Sequence, residues 1–542
     1  MSAIRITPFM GLLPSSDKAL LQNNFAQKAI NCRLTKGALE AYSAPLQIYS
    51  PNPSITNIKS IYRFIQNSTN ETQYWFTFNT DVNVVKGAVA GDTQERTYFT
   101  GDGYPKVTDI TIAVASTPYP SSAYHLGTPN PVTSLIATVV PFSPPSNTPA
   151  EVFVYTYTYI TPWGEESPPA PASNAVTVKI GDTINLTGIL VGPTGNYNVG
   201  TGAKKRIYRT ATGTTNTSYQ FLAEIPIAQT TYSDTTLTRN LGATLPTLNS
   251  NILPVTAIGL TNMANGIMAA FSGYDVYFCE AYKPYSWPVG YSQAVDFPVV
   301  GLGAFGNSLV VLTTGVPYIM SGTDPQAISV EKLSVPYSCV SKRSICKAFG
   351  DVVYASPDGL VSIGQSGIKV LTDSIMTRLE WQLYNPKSML CAVWDDRIFM
   401  FYDTGTKQGC LCLDNRQGLV ESSIYATAVY NDPVTGELYL AIDDKIVKWN
   451  AGAALTYTWK SKYFTHPSFV NFSWGQVLAT DYPVQMNVYA NQELVCSRNV
   501  TSIDPVRLLS GFKSKYWEIE LIGNTSVQEV VIAESMDELR NV

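Results

Sequence analysis

Phe271 opens FSGYDVYFCEA, and the same kind of text returns four more times: FGNSLVVLTTGVPYIMSG from Phe305, FGDVVYASPDGLVSIGQSG from Phe349, WDDRIFMFYDTGTKQGCLCLDN from Trp394 and DPVTGELYLAIDDKIVKWN from Asp432. Each unit is a small residue, a tight turn, a strand rich in Val, Tyr, Phe and Leu, a second turn and another short strand. Anchored on Gly273, Gly306, Gly350, Asp396 and Gly436, the steps are 33, 44, 46 and 40 residues. A short meander cannot bury its own faces, so units of this size are stable only when stacked against neighbours. Closure in a ring leaves each with only short edges. The spacing is that of a β-propeller; irregular steps also fit two packed sheets.

Working outward, KSIYRFIQ, TQYWFTFN, VNVVKG and ERTYFTG read as four strands of a first blade over residues 53–115, which brings the expected blade number to six. Residues 1–52 read as an extended arm with one short helix, with Ser16 as N-cap and Leu20, Leu21, Ala26 and Ala29 giving the helical period. Residues 116–146, rich in Pro, Ser and Thr, read as a linker. Residues 147–250 read as an inserted sandwich of the fibronectin type III or immunoglobulin kind. There Val152, Val154, Tyr157 and Tyr159 alternate, and Trp163-Gly164-Glu165-Glu166 forms an exposed hairpin tip. The remaining blades occupy 251–452, and 453–542 is a further antiparallel β-domain with Trp474, Trp517 and Val530 in its core. The expected fold class is therefore all-β, and scarce helix argues against an α/β nucleotide-binding fold.

At 542 residues the chain exceeds one core. Charged residues make up 14%, against the roughly 25% of ordinary soluble domains, while 33 Tyr supply polarity. That balance suits burial between subunits, whose interface cores lose charge and gain aromatics; it equally suits a β protein that uses Tyr as a strand former. The net charge of −5 and the lack of a basic block beyond Lys204-Lys205-Arg206, read as a solvated strand start, disfavour tight binding of nucleic acid. No charged-then-apolar leader opens the sequence, and no run of 18 apolar residues occurs, so synthesis in a cytosol without stable membrane insertion is expected. The eight cysteines show no CxxC, and Cys410 and Cys412 share a strand face as small buried hydrophobes. The sequons at Asn185 and Asn499 carry no weight without a secretory route.

Catalytic patterns are sparse. His125 lies in the expected linker and His466 precedes Pro467; no Cys/His set has metal spacing, and neither a nucleophile elbow nor a phosphate loop occurs. Carboxylate pairs offer one route, because some propellers hydrolyse glycosides with two acids across a central pocket. Asp395 and Asp396, Asp443 and Asp444, and Asp358 fall where hairpin turns belong, and Asp favours turns through its own backbone bonds. No catalytic, cofactor-binding or metal residues are assigned, no cofactor is expected, and the chain is not expected to be an enzyme.

The text from Gly11 to Pro45, GLLP followed by AQKAINCRLTKGALEAYSAP, resembles the opening of nozzle (tail tubular protein B-like) subunits of short-tailed bacteriophages. The likeness extends to the blades, the inserted sandwich and the appended β-domain. It implies a structural virion protein of the tail, made in the cytoplasm of a bacterial host. Six copies would form a ring below the portal adaptor and line a conduit for the genome, with fibres or spikes attached. The genomic DNA would pass without specific binding, which an acidic lumen favours by repulsion. A second expectation is a receptor- or glycan-binding tail protein with the inserted module as adhesin. A third is a propeller glycosidase or lyase, which needs two carboxylates facing one pocket.

Overall fold

The computed structural model describes residues 3–64, 70–89, 92–212, 217–414 and 416–541. The protein is all-β, with 45% strand and 6% helix. It divides into two compact units, one of Met1–Asp81, Val310–Tyr318 and Lys332–Val542, the other of Val82–Leu309 and Ile319–Glu331.

In the first unit the units read from Phe349, Trp394 and Asp432 each form an antiparallel meander. The first comprises strands Cys346–Ala348, Asp351–Ser356, Gly359–Gly364 and Gly367–Val370, paired in sequence order. The second comprises Leu390–Trp394, Arg397–Asp403, Gln408–Asp414 and Gly418–Ser422. The third has only three strands of its own, Ala428–Asn431, Leu438–Ile442 and Lys445–Lys448. Its fourth is Leu46–Tyr49 from the other end of the chain, with Tyr49 opposite Ile446. The middle strands are buried on both faces, as their continuous apolar text requires.

The N-terminal arm differs from expectation. No helix forms: Asp17, not Ser16, accepts from Ala19 N at 2.8 Å in an Asx turn, and Leu20 is 81% exposed, so the weak periodicity has no core to face. The arm instead supplies five short strands among the described residues. Ala3–Ile6 and the Cys32–Thr35/Ala38–Ala41 hairpin pair with Val527–Ala533. Ala26–Ile30 lies antiparallel to Tyr457–Ser461 and meets the blade strand Gly418–Ser422 at Glu421. One hydrophobic core consequently runs from Ile6 and Phe9 through Phe399 and Trp449 to Trp517 and Ile532. The C-terminal sandwich is thus completed by the N-terminus. Trp517 and Val530 are core as expected, whereas Trp474 is only half-buried, with the Arg507 guanidinium over its ring.

The expected first blade is also redistributed. Among the described residues, Ser60–Arg63 and Trp75–Phe78 pair only with each other. Asn83–Lys86 and Thr97–Thr100 belong to the second unit, in a sheet completed by Lys106–Thr108 and Tyr124–His125. Residues 116–146 therefore contain a blade strand and also Ile136–Val140, the first strand of the sandwich, rather than linker alone. The unit from Phe271 makes a second sheet, Ile258–Asn262, Met268–Ser272, Asp275–Phe278 and Gln293–Ala294. The unit from Phe305 gives strands Val299–Phe305, Ser308–Thr313, Tyr318–Ser321 and Ser329–Lys332, the run in which the boundary between the units falls.

The inserted sandwich has its own core of Tyr155, Tyr157, Tyr159, Ile184, Leu186 and Ile207. Tyr155–Ile160 is buried on both faces instead of alternating, while Val152 is 59% exposed. The return segment after Glu166 runs along the free edge of this strand, with Ala170 N donating to Tyr157 O and Thr156 Oγ1 to Ala170 O, and Glu166 meets Thr158 and Tyr208 on the second face.

Candidate functional site

Both aspartate doublets are two-residue hairpin turns, between Trp394 and Arg397 and between Ile442 and Lys445, and all four residues have positive φ. This is the left-handed conformation such hairpins require and Asp tolerates. Asp444 Oδ1 accepts from Ile58 N at 3.0 Å, Asp443 is exposed, and Asp358 pairs with Arg378 at 3.1 Å in its own turn. None of those three lines the pocket that holds Asp395 and Asp396.

The 395–396 turn, however, does not stand alone. Lys36-Gly37, Phe349-Gly350 and the turn between Asp414 and Gly418 lie beside it, so four hairpin tips surround one pocket of about 490 Å³. It is lined by Arg33, Lys36, Phe349, Asp395, Asp396, Arg397, Asp414, Arg416 and Gln417. Asp395 Oδ2 accepts from Arg33 Nη2 at 3.0 Å and from Arg397 Nη1 at 2.6 Å, and Arg397 Nε reaches Asp414 at 3.0 Å. The Arg33 guanidinium also sits over the Trp394 ring, 5.6 Å from its centroid. This network fixes two guanidiniums in place. Asp395 is held between two arginines and Asp414 is tied to one of them, while Asp396 lines the same pocket without an ion pair among the described residues. The sequence reading found the turns and missed the pocket, because Arg33 and Asp395 are 362 residues apart.

His125 lies between two rings, 3.4 Å from Tyr104 and 4.5 Å from Tyr197, both nearly parallel to it. Burial and the nearby Lys106 ammonium lower its pKa. Its backbone N donates to Asn196 O, and Asn196 Nδ2 donates to Ala123 O, so the histidine joins a blade strand to a sandwich loop. His466 is exposed and bonds locally to Ser468. Among the described residues no group of three His, Cys, Asp or Glu could hold a metal ion.

The Trp163–Glu166 turn is not the exposed tip expected. Trp163 packs against Tyr124 and the blade core, and Glu165 and Glu166 are buried. Glu166 accepts from Thr158, Tyr208 and Arg206, whereas Glu165 has Arg96 only at 3.9 Å. Burial pushes the Glu165 carboxyl up to about 7, opposed by Arg96 and assisted by Asp92. The basic triplet differs too: Lys205 is fully buried, with Nζ donating to the carbonyls of Leu190 and Gln229, and burial lowers its pKa to about 8. Arg206 and Lys204 share Glu224. All eight cysteines are thiols; Cys410 and Cys412 are buried, and burial raises both pKa values.

No protein-family model matches this chain, and no curated protein matches it. Among solved structures, the extracellular domain of a hybrid two-component system from B. thetaiotaomicron aligns over 88% of this chain and 50% of its own, at 10% identity and a TM-score of 0.25. This chain thus spans half the length of that relative. A dihydro-haem d1 dehydrogenase, NirN, aligns over 80% of this chain and 79% of its own, at 11% identity and a TM-score of 0.26. PorZ, a surface component of the type-IX secretion system of Porphyromonas gingivalis, aligns over 89% and 82%, at 9% identity and a TM-score of 0.25. Likeness at this level says nothing about activity or partners.

Proposed function

We propose that this chain is a structural, non-enzymatic subunit of the tail nozzle of a short-tailed bacteriophage. Its blade-sized meanders close into a six-bladed propeller, and six copies form a ring below the portal adaptor. The ring is a conduit through which the genomic DNA passes without specific binding, and it carries fibres or spikes. The protein is made in the bacterial cytoplasm and resides in the virion tail.

The observation that carries this reading is the placement of Gly11–Pro45, the stretch that resembles nozzle subunits. Gly11 N donates to Gln417 O and Leu12 N to Leu419 O, each at 2.7 Å, and Ala26–Ile30 runs between a blade strand and the C-terminal sandwich. The resembling residues thus knit blade to sandwich, an architectural placement that supports a structural role.

Cryo-electron microscopy of the virus particle, averaged about the tail axis, tests the proposal. Six propellers around a continuous channel beneath the adaptor are expected; peripheral density, or a three-fold arrangement, overturns it. The second reading, a receptor- or glycan-binding tail protein, draws on exposed apolar side chains of the inserted sandwich: Ile136, Val140, Phe142, Val152 and Ile180 are all between 48% and 59% exposed. Peripheral density with that module outermost would favour it.

A further inference from the structure

We propose that the pocket at the four hairpin tips of the first unit binds the oxyanion of a small carboxylate- or phosphate-bearing ligand. Its lining holds one more cation than carboxylates, in a chain whose net charge is −5. Asp395 and Asp414 are consumed by Arg33 and Arg397, and those pairs use Arg33 Nη2 and Arg397 Nη1 and Nε. Arg33 Nη1 and Arg397 Nη2 are not consumed by them. Held by Asp395, the two guanidiniums are planar donors already fixed in position, the arrangement that favours carboxylate and phosphate recognition.

Lys36 and Arg416 complete the charge. Both are exposed at turns, and neither has a carboxylate within ion-pair distance among the described residues. Phe349 lies on the same pocket with 47% of its surface exposed, in a left-handed conformation with φ 55°. Phe is seldom found in that conformation, and Gly or Asn would fit the turn with less strain. An aromatic kept there despite the backbone cost supplies an apolar wall for the ligand's carbon skeleton. Asp396, which also lines the pocket and makes no ion pair among the described residues, is an acceptor for a ligand hydroxyl or ammonium. The volume is in the range of small-molecule sites, and the mostly charged lining with one aromatic wall suits a small anionic ligand.

The test is calorimetric titration of the full chain with citrate, galacturonate and inorganic phosphate at low salt. Saturable binding of at least one probe, with Kd of about 1 mM or tighter, is expected. Affinity should fall at least tenfold in a Lys36→Gln/Arg416→Gln variant, whose thermal melting should match the parent because both side chains are exposed. Phe349→Asn should weaken citrate or galacturonate and leave phosphate unchanged. Preference for phosphate would assign a phosphoryl ligand, and preference for the acids a carboxylate. Absence of saturable binding of all three, or equal affinity in the double variant, would overturn the proposal. Neither result depends on whether the chain lines a conduit.

Discussion

Arg209 and Asp234 are both fully buried in the sandwich, 2.6 Å apart, with the Tyr155 hydroxyl donating to the same carboxylate at 2.8 Å. Removing one partner strands the other charge in a low dielectric, so Asp234→Asn should cost about 3–5 kcal/mol in denaturant melts of the chain. Glu165 makes a prediction of opposite character. Its folded pKa of about 7 lies above the unfolded carboxyl value, so the native state binds the extra proton between roughly pH 4 and pH 7. The contribution is fully present below pH 4 and is lost as pH rises through 7. A Glu165→Gln variant should therefore gain stability relative to the parent between pH 5 and pH 8; parallel pH curves for the two proteins would refute this. His125, with its pKa lowered, acts in the other sense: neutral in the stack, it gives up stability as pH falls through the unfolded value near 6.5 and on to its folded pKa. At this scale the aspartate doublets were legible, because paired Asp between apolar strands has a local backbone reason. Glu165 and Lys205 were not, since nothing in a polar turn or a Lys-Lys-Arg run says that another segment will cover it.

The element that decides the first unit is the N-terminal stretch. A Cβ on Gly11 would lie 2.5 Å from Leu419 O and 2.9 Å from Gln417 O, so Gly11→Ala must push the arm away from the start of the blade strand Gly418–Ser422. A loss of about 1–3 kcal/mol is expected, read by chemical denaturation. The Trp459 indole donates to Met10 O at 2.9 Å and meets Phe9 edge-on at 5.0 Å. Residues 453–542 expressed alone should consequently lack near-ultraviolet circular dichroism and be digested rapidly, because four strands of their sheets and the cover of Trp459 come from the arm. A cooperative melt of that fragment would contradict the shared core. The repeat units from Phe349, Trp394 and Asp432 were readable as meanders because turn and strand chemistry are local. Their completion was not: the last meander takes Leu46–Tyr49 as its fourth strand, and strand pairing between distant segments leaves no local trace.

For the molecule as a whole, composition carried the fold class. Apolar strand text punctuated by Gly, Asp and Asn every few residues permits little else, and the structure is all-β, with a sandwich where one was expected. Residues 116–146 show the limit of composition: Pro, Ser and Thr suggested a linker, yet Tyr124–His125 pairs in a blade and Ile136–Val140 in the sandwich. Thermolysin under native conditions should spare 123–140 and cut first in 141–150, where the backbone is without strand and most side chains are exposed; early cleavage near Leu126 would place the linker where the sequence put it. The sequence by itself determined the β class, the turns and the repeated meanders, because each depends on residues within a few positions of one another. Only the tertiary structure decided which strands share a sheet, which carboxylate is buried and which tips enclose the charged pocket, because those depend on burial between segments hundreds of residues apart.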